Sequence, residues 1–119
     1  MGVIRLNEPV RIPVPGGKVI DEHVGRASDG RDQFSAAHMR APAGWSEPTQ
    51  TPEFDELTLV VHGRLAVDSD GTTLVVGAGQ SVLIERGTAV RYHNPFDAEC
   101  QYWAICLPAF SPERAHRAP

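Results

Sequence analysis

Residues 48–63 read PTQTPEFDELTLVVHG. From Glu56 onward the segment is rich in aliphatic and β-branched residues, and it stops at Gly63, which is the composition of a strand closed by a turn. Alternation puts Glu56, Thr58, Val60 and His62 on one face and Leu57, Leu59 and Val61 on the other. Both faces are largely apolar, so one lines the inside of a barrel while the other covers a second sheet or a subunit. Glu56 heads the first of these rows. A carboxylate aimed into an apolar interior is costly unless something uses or pairs it.

Outward from this strand, the chain repeats the pattern. VRIPV, KVIDEHV, FSAAHM, RLAVD, TTLVV, SVLIE, AVRYH and CQYWAICL are short β-rich runs, and SDG at 69–71, GAG at 77–79 and ERG at 85–87 are turn signals between them. Many short strands at regular spacing predict an all-β protein, and two apolar faces on the long strand predict a double-sheet jelly roll. LTLVVHGRLAVD reads as a hairpin turning at His62-Gly63-Arg64, and DSDGTTLVV as one turning at Asp70-Gly71. The polar tail 111–119 is expected to hold one short helical turn or to fray.

At 119 residues the chain is read as a single domain, 1–119. A formal charge of −4 leaves no basic footprint, so nucleic acid is not an expected partner. No apolar run approaches the roughly 18 residues of a membrane span, and no charged segment followed by an apolar core opens the chain. Membrane association is not expected, and a cytoplasmic location is. Cys100 and Cys106, placed on one strand, would stand about 20 Å apart and could not bridge each other. They read as buried, inert thiols.

The segment 44–94 resembles the cupin superfamily. Gly44, Glu56 and Gly63 fit its first motif (region 44–63), with Thr49 and Thr51 where two histidines stand in that motif. Gly79, Gly87 and Asn94 fit the second (region 79–94), with Glu85 in the proline position and Val90 in the histidine position. Phe54-Asp55-Glu56 and the aromatic final strand from Tyr102 to Pro108 are similar to small single-domain cupins of the ethanolamine-utilisation type. The resemblance implies a double-stranded β-helix, that is, a jelly-roll barrel of the cupin type, and a homodimer. It also implies a metal site of three histidines and a glutamate. Of these four the chain keeps Glu56, so no metal or other cofactor is expected. A divalent metal held by Glu56 and His38 is the disfavoured alternative.

The remaining chemistry centres on Glu56, whose burial would raise its pKa toward the range of general acid–base work. Tyr92 is inward by alternation from Val90. On the strand feeding the first motif, the inward set is either Phe34, Ala36, His38 and Arg40 or Ser35, Ala37 and Met39. In the first case His38 supplies a base and Arg40 an anion clamp. Catalytic candidates are therefore Glu56, His38 and Tyr92. Arg40, Trp45, Thr49, Thr51, Val90 and Tyr102 are the candidate pocket walls, with Tyr102 or Trp103 facing in. The expected function is metal-independent proton transfer on a small polar organic molecule, of isomerase, epimerase, cyclase or lyase type. The alternatives are a non-catalytic ligand-binding or accessory cupin and a metal-dependent cupin with relocated ligands.

Overall fold

The computed structural model describes residues 2–6 and 8–118. Nine strands alternate with short turns: β1 (Val10–Ile12), β2 (Val19–Val24), β3 (Ser35–Ala41), β4 (Asp55–His62), β5 (Arg64–Ser69), β6 (Thr72–Gly77), β7 (Ser81–Ile84), β8 (Arg91–His93) and β9 (Cys100–Leu107). One helical turn, α1 (Pro112–Ala115), follows. The strands form a six-stranded sheet, β1-β2-β3-β9-β4-β7, facing a three-stranded one, β6-β5-β8. Every pairing is antiparallel. This is the expected all-β jelly roll, in which the inward row of each strand meets its counterpart in one apolar core. Val60, Leu65, Val67, Val76, Val90 and Tyr102 form the centre of that core, each nearly free of solvent contact.

Alternation holds on β4: Glu56, Thr58 and Val60 are buried, while Leu57 and Leu59 lie on the outer side. A bulge between Val60 and His62 ends the regular register, and His62 is exposed. On β9, Cys100, Tyr102, Ala104 and Cys106 point in and Gln101, Trp103 and Ile105 point out. Both cysteines are free and buried.

The Asp70-Gly71 turn is a tight hairpin between β5 and β6. Both residues have positive φ (55° and 74°) and Ser69 pairs with Thr72, as a two-residue type I′ turn requires. The hairpin expected at His62-Gly63-Arg64 is corrected. β4 and β5 belong to different sheets, and Gly63 is the corner at which the chain crosses from one to the other. Its φ is 74°, and a Cβ there would stand 2.5 Å from the carbonyl oxygen of Glu99.

Residues 111–118 of the tail are ordered rather than frayed. Ser111 caps α1, its hydroxyl accepting from Arg114 N at 3.2 Å, and Ala115 is fully buried beside Phe54. Beyond the helix, Thr51 N donates to His116 O and Ala118 N to Thr49 O, so residues 116–118 lie along segment 49–51. No described helix is long and apolar enough to cross a membrane.

Candidate functional site

A cavity opens between the sheets, and the empty space within and before it, open solvent included, is about 540 Å³. Much of its wall is apolar: Ile20, Ala37, Met39, Ala104 and Phe110. At its floor is Glu56, carried by β4 opposite Cys106 of β9 and Ile84 of β7. It is 7% exposed. Thr58 Oγ1 donates to its Oε2 at 3.3 Å, and the Cys106 thiol points at its Oε1 from 3.8 Å. Burial pushes the carboxyl up to about 7, and the nearby Glu47 carboxylate adds to the shift. The charge of Lys18 and the hydroxyls of Thr58 and Tyr92 oppose it.

Tyr92, from β8, lies by Glu56, yet its hydroxyl is buried without a well-formed hydrogen bond. Burial raises both Tyr92 and Tyr102 far above the usual phenol range, so each is a neutral hydroxyl able to donate. Tyr102 is thus the inward aromatic of β9. Trp103 lies outside, with its ring centroid 5.1 Å from those of both His23 and His38.

Four groups of this pocket escape the sequence reading. Lys18, just before β2, is half-buried, and its ammonium sits 4.0 Å from the Trp45 ring centroid and 5.3 Å from that of Tyr102. Burial lowers its pKa, while the charges of Glu47 and Glu56 hold it up. Glu47 is half-buried, and its carboxyl is raised by burial against the pull of Lys18 and Arg117. Gln50 is 4% exposed and its Oε1 has no partner. Arg117 reaches the mouth from the tail, its guanidinium 5.7 Å from the Phe110 ring centroid.

Several expected wall residues stand elsewhere. The inward set of β3 is Ser35, Ala37 and Met39, so His38 and Arg40 face away: His38 packs edge-on against Trp103, and Arg40 pairs with Glu99 at 3.2 Å. His38 therefore cannot join Glu56 on either a proton or a metal, since the sheet lies between them. Thr49 and Thr51 are exposed, because the backbone pairing of Gln50 with Val90 turns Gln50, and not its neighbours, inward. Val90 is fully buried in the core behind the cavity wall. Trp45 is buried and meets the pocket through Lys18. His23 is half-buried on Trp103. Arg86 pairs with Asp55 at 3.2 Å.

The retained motif residues hold the barrel. Asn94 is fully buried; its Nδ2 donates to the carbonyls of Ala41, Pro42 and Ala98, and its Oδ1 accepts from Phe96 N. Gly44 N donates to Asn94 O, Gly79 N to Val60 O and Gly87 N to Pro52 O. Among the described residues, no three His, Cys, Asp or Glu side chains are grouped to hold a metal ion. The donors that do converge do not fit one: an ammonium stands among the carboxylates and would repel a second cation.

Two packed antiparallel sheets around a polar-floored pocket define a small jelly-roll barrel protein. The chain belongs to the cupin domain family, which residues 37–106 match. It is 45% identical over 113 residues, 95% of its length, to the endoribonuclease YbeY of Myxococcus xanthus, but spans only 38% of that protein. Among solved structures it resembles a Streptomyces PAC13 variant with uridine (TM-score 0.77, 12% identity, covering 99% of this chain and 92% of that one). It also resembles the polyketide cyclase RemF of Streptomyces resistomycificus (0.71, 18%, 96% and 89%). A third likeness is to the ethanolamine-utilisation protein EutQ of Clostridium difficile (0.66, 17%, 86% and 73%). At these identities the structural likenesses speak for the fold.

Proposed function

We propose that this chain is a small cupin enzyme that moves a proton on a small organic molecule without a metal, in a reaction of isomerase, epimerase, cyclase or lyase type. The observation that carries the reading is Glu56: a buried carboxyl with a pKa of about 7, beside an unpartnered tyrosine hydroxyl, at the floor of a largely apolar cavity. Near neutral pH such a group is populated both as base and as acid, which is where general acid–base catalysis is most effective. Glu56 takes a proton from a carbon next to a carbonyl, and the Tyr92 hydroxyl donates to the oxygen on which negative charge gathers. Glu56 then returns the proton at the same or a neighbouring atom, or a leaving group departs. The polyketide cyclase among the structural neighbours is consistent with chemistry of this kind on the same scaffold.

The test is solvent-deuterium exchange into a panel of small hydroxy- and oxo-compounds, followed by proton NMR. Glu56→Gln should slow exchange by about a hundredfold or more, within the range of a lost general base, and Tyr92→Phe by about tenfold, with folding retained in both. Exchange unaffected by Glu56→Gln would remove this mechanism.

A second reading, a ligand-binding accessory cupin, is favoured by the Myxococcus relative, in which the matching segment is a minor part of a longer protein. The endoribonuclease activity in that relative's name is not assigned to this segment, whose net charge of −4 and narrow pocket suit no polynucleotide. Ligand binding with thermal stabilisation and no exchange in any compound would favour the accessory role.

We further propose that the chain is a homodimer through the outer face of its six-stranded sheet. There Leu83, Leu57 and Ile105 stand side by side in register, flanked by Leu59 and Trp103, and Leu83 is 60% exposed. An apolar row of this kind on a sheet face favours a covered state.

A further inference from the structure

Two cations stand at the mouth of the pocket, and among the described residues neither makes an ion pair. Lys18 lies against the faces of Trp45 and Tyr102, and Arg117 over Phe110. By contrast Arg11, Arg86, Arg91 and Arg114 are each tied to an aspartate. Lys18 is also the one lysine in the chain, whose other fixed cations are all arginines. Below the two cations, Gln50 Oε1 and Tyr92 Oη are buried without partners and border the same cavity. Unsatisfied buried polar atoms are uncommon in folded proteins, and two in one cavity mark where a ligand's polar groups belong.

We propose that Lys18 and Arg117 hold the anionic group of the substrate, which is a small organic monoanion, a carboxylate or its like, with an apolar body and a hydroxyl or other hydrogen-bond donor. Two cations that make no ion pair among the described residues stand ready for one anionic group, and the Glu22 and Glu47 carboxylates on the same wall disfavour a second. The body lies against Ile20, Met39, Ala104 and Phe110, all on the cavity wall. The donor meets Gln50 Oε1, and the reacting end reaches Glu56 and Tyr92. This deepens the proton-transfer reading and rests on it for the identity of the reacting end. The anion clamp stands on its own geometry.

The probes are mandelate, an aromatic hydroxy acid of this class, and mandelamide, its neutral isostere. Their binding to the full chain is measured by titration calorimetry. In parallel, the rate of reductive methylation of Lys18 is read by mass spectrometry of the lysine-bearing peptide, which separates the single lysine from the amino terminus. Mandelate should bind at least about tenfold more tightly than mandelamide and slow the methylation of Lys18. The preference should disappear in Lys18→Met, weaken in Arg117→Gln and survive in Lys18→Arg, which controls for folding. Glu56→Gln should keep the preference. Retained anion binding without deuterium exchange in any protein would sink the catalytic reading and leave the clamp standing. Equal binding of acid and amide, a preference that persists in both Lys18→Met and Arg117→Gln, or no binding of mandelate with unprotected Lys18 would each overturn the clamp.

Discussion

Glu56 ionises at about 7, where an unperturbed glutamate ionises at 4.5. A carboxyl whose pKa is raised by folding costs nothing below the unfolded value, where both states hold the proton. Between 4.5 and 7 the unfolded chain releases it and the native chain does not, so stability falls with rising pH and levels off above the native pKa. The full cost is on the order of 3 kcal/mol. Glu56→Gln removes this dependence, so the melting temperature of the variant should gain on that of the wild type by several degrees between pH 5 and pH 8. An equal difference at both pH values would mean that Glu56 is not held protonated by burial. At this scale the sequence was partly legible. The inward faces of β4 and β8 follow from alternation and the motif positions, and Glu56 and Tyr92 fall on them, whereas alternation on β9 leaves Tyr102 and Trp103 as equals until the sheet is seen. Gln50 did not follow, because it lies on an irregular segment where a shift of one residue exchanges Thr49 and Thr51 for the side chain between them. Lys18 left one signal, its being the sole lysine, and Arg117 left none in a polar tail.

Among the elements, the turns separate what local sequence decides from what it does not. Asp70-Gly71 needs two residues at positive φ, and these two residue types accept it, so the β5–β6 hairpin is written locally. His62-Gly63-Arg64 carries the same kind of signal, yet it is a corner between sheets; the deciding contact is Glu99, far along the chain. Gly63→Ala should therefore destabilise by about 3 kcal/mol, through backbone strain plus the clash with Glu99 O, as read by urea unfolding. A loss below about 1 kcal/mol would show that the corner relaxes freely. The outer rows of β4, β7 and β9 carry a different expectation. Wild-type protein should scatter light as twice the 12.9 kDa of one chain, and Leu83→Lys should shift it toward the monomer without lowering monomer stability, since Leu83 is largely exposed in the single chain. A wild-type monomer at all concentrations would remove the proposed interface.

On the scale of the whole molecule, the barrel and its rim are separable. The barrel core is made by strands, whereas the mouth is finished by residues 116–118 along segment 49–51. Deleting those residues should leave the circular dichroism of the folded protein intact while Lys18 becomes more reactive toward methylation. Loss of the folded signal would mean that the tail is part of the core rather than its cover. The fold class was legible because strand periodicity and turn spacing repeat along the chain. The sheet order was not, since it joins distant segments. That order has a bearing on how the protein is made. β9, flanked by β3 and β4 at the heart of the larger sheet, is the last of the described strands. A nascent chain emerging from the ribosome therefore carries β3 and β4 with open edges until residue 107 has cleared the exit tunnel. The sheet can close only then, and before that those edges are exposed to pairing with other chains.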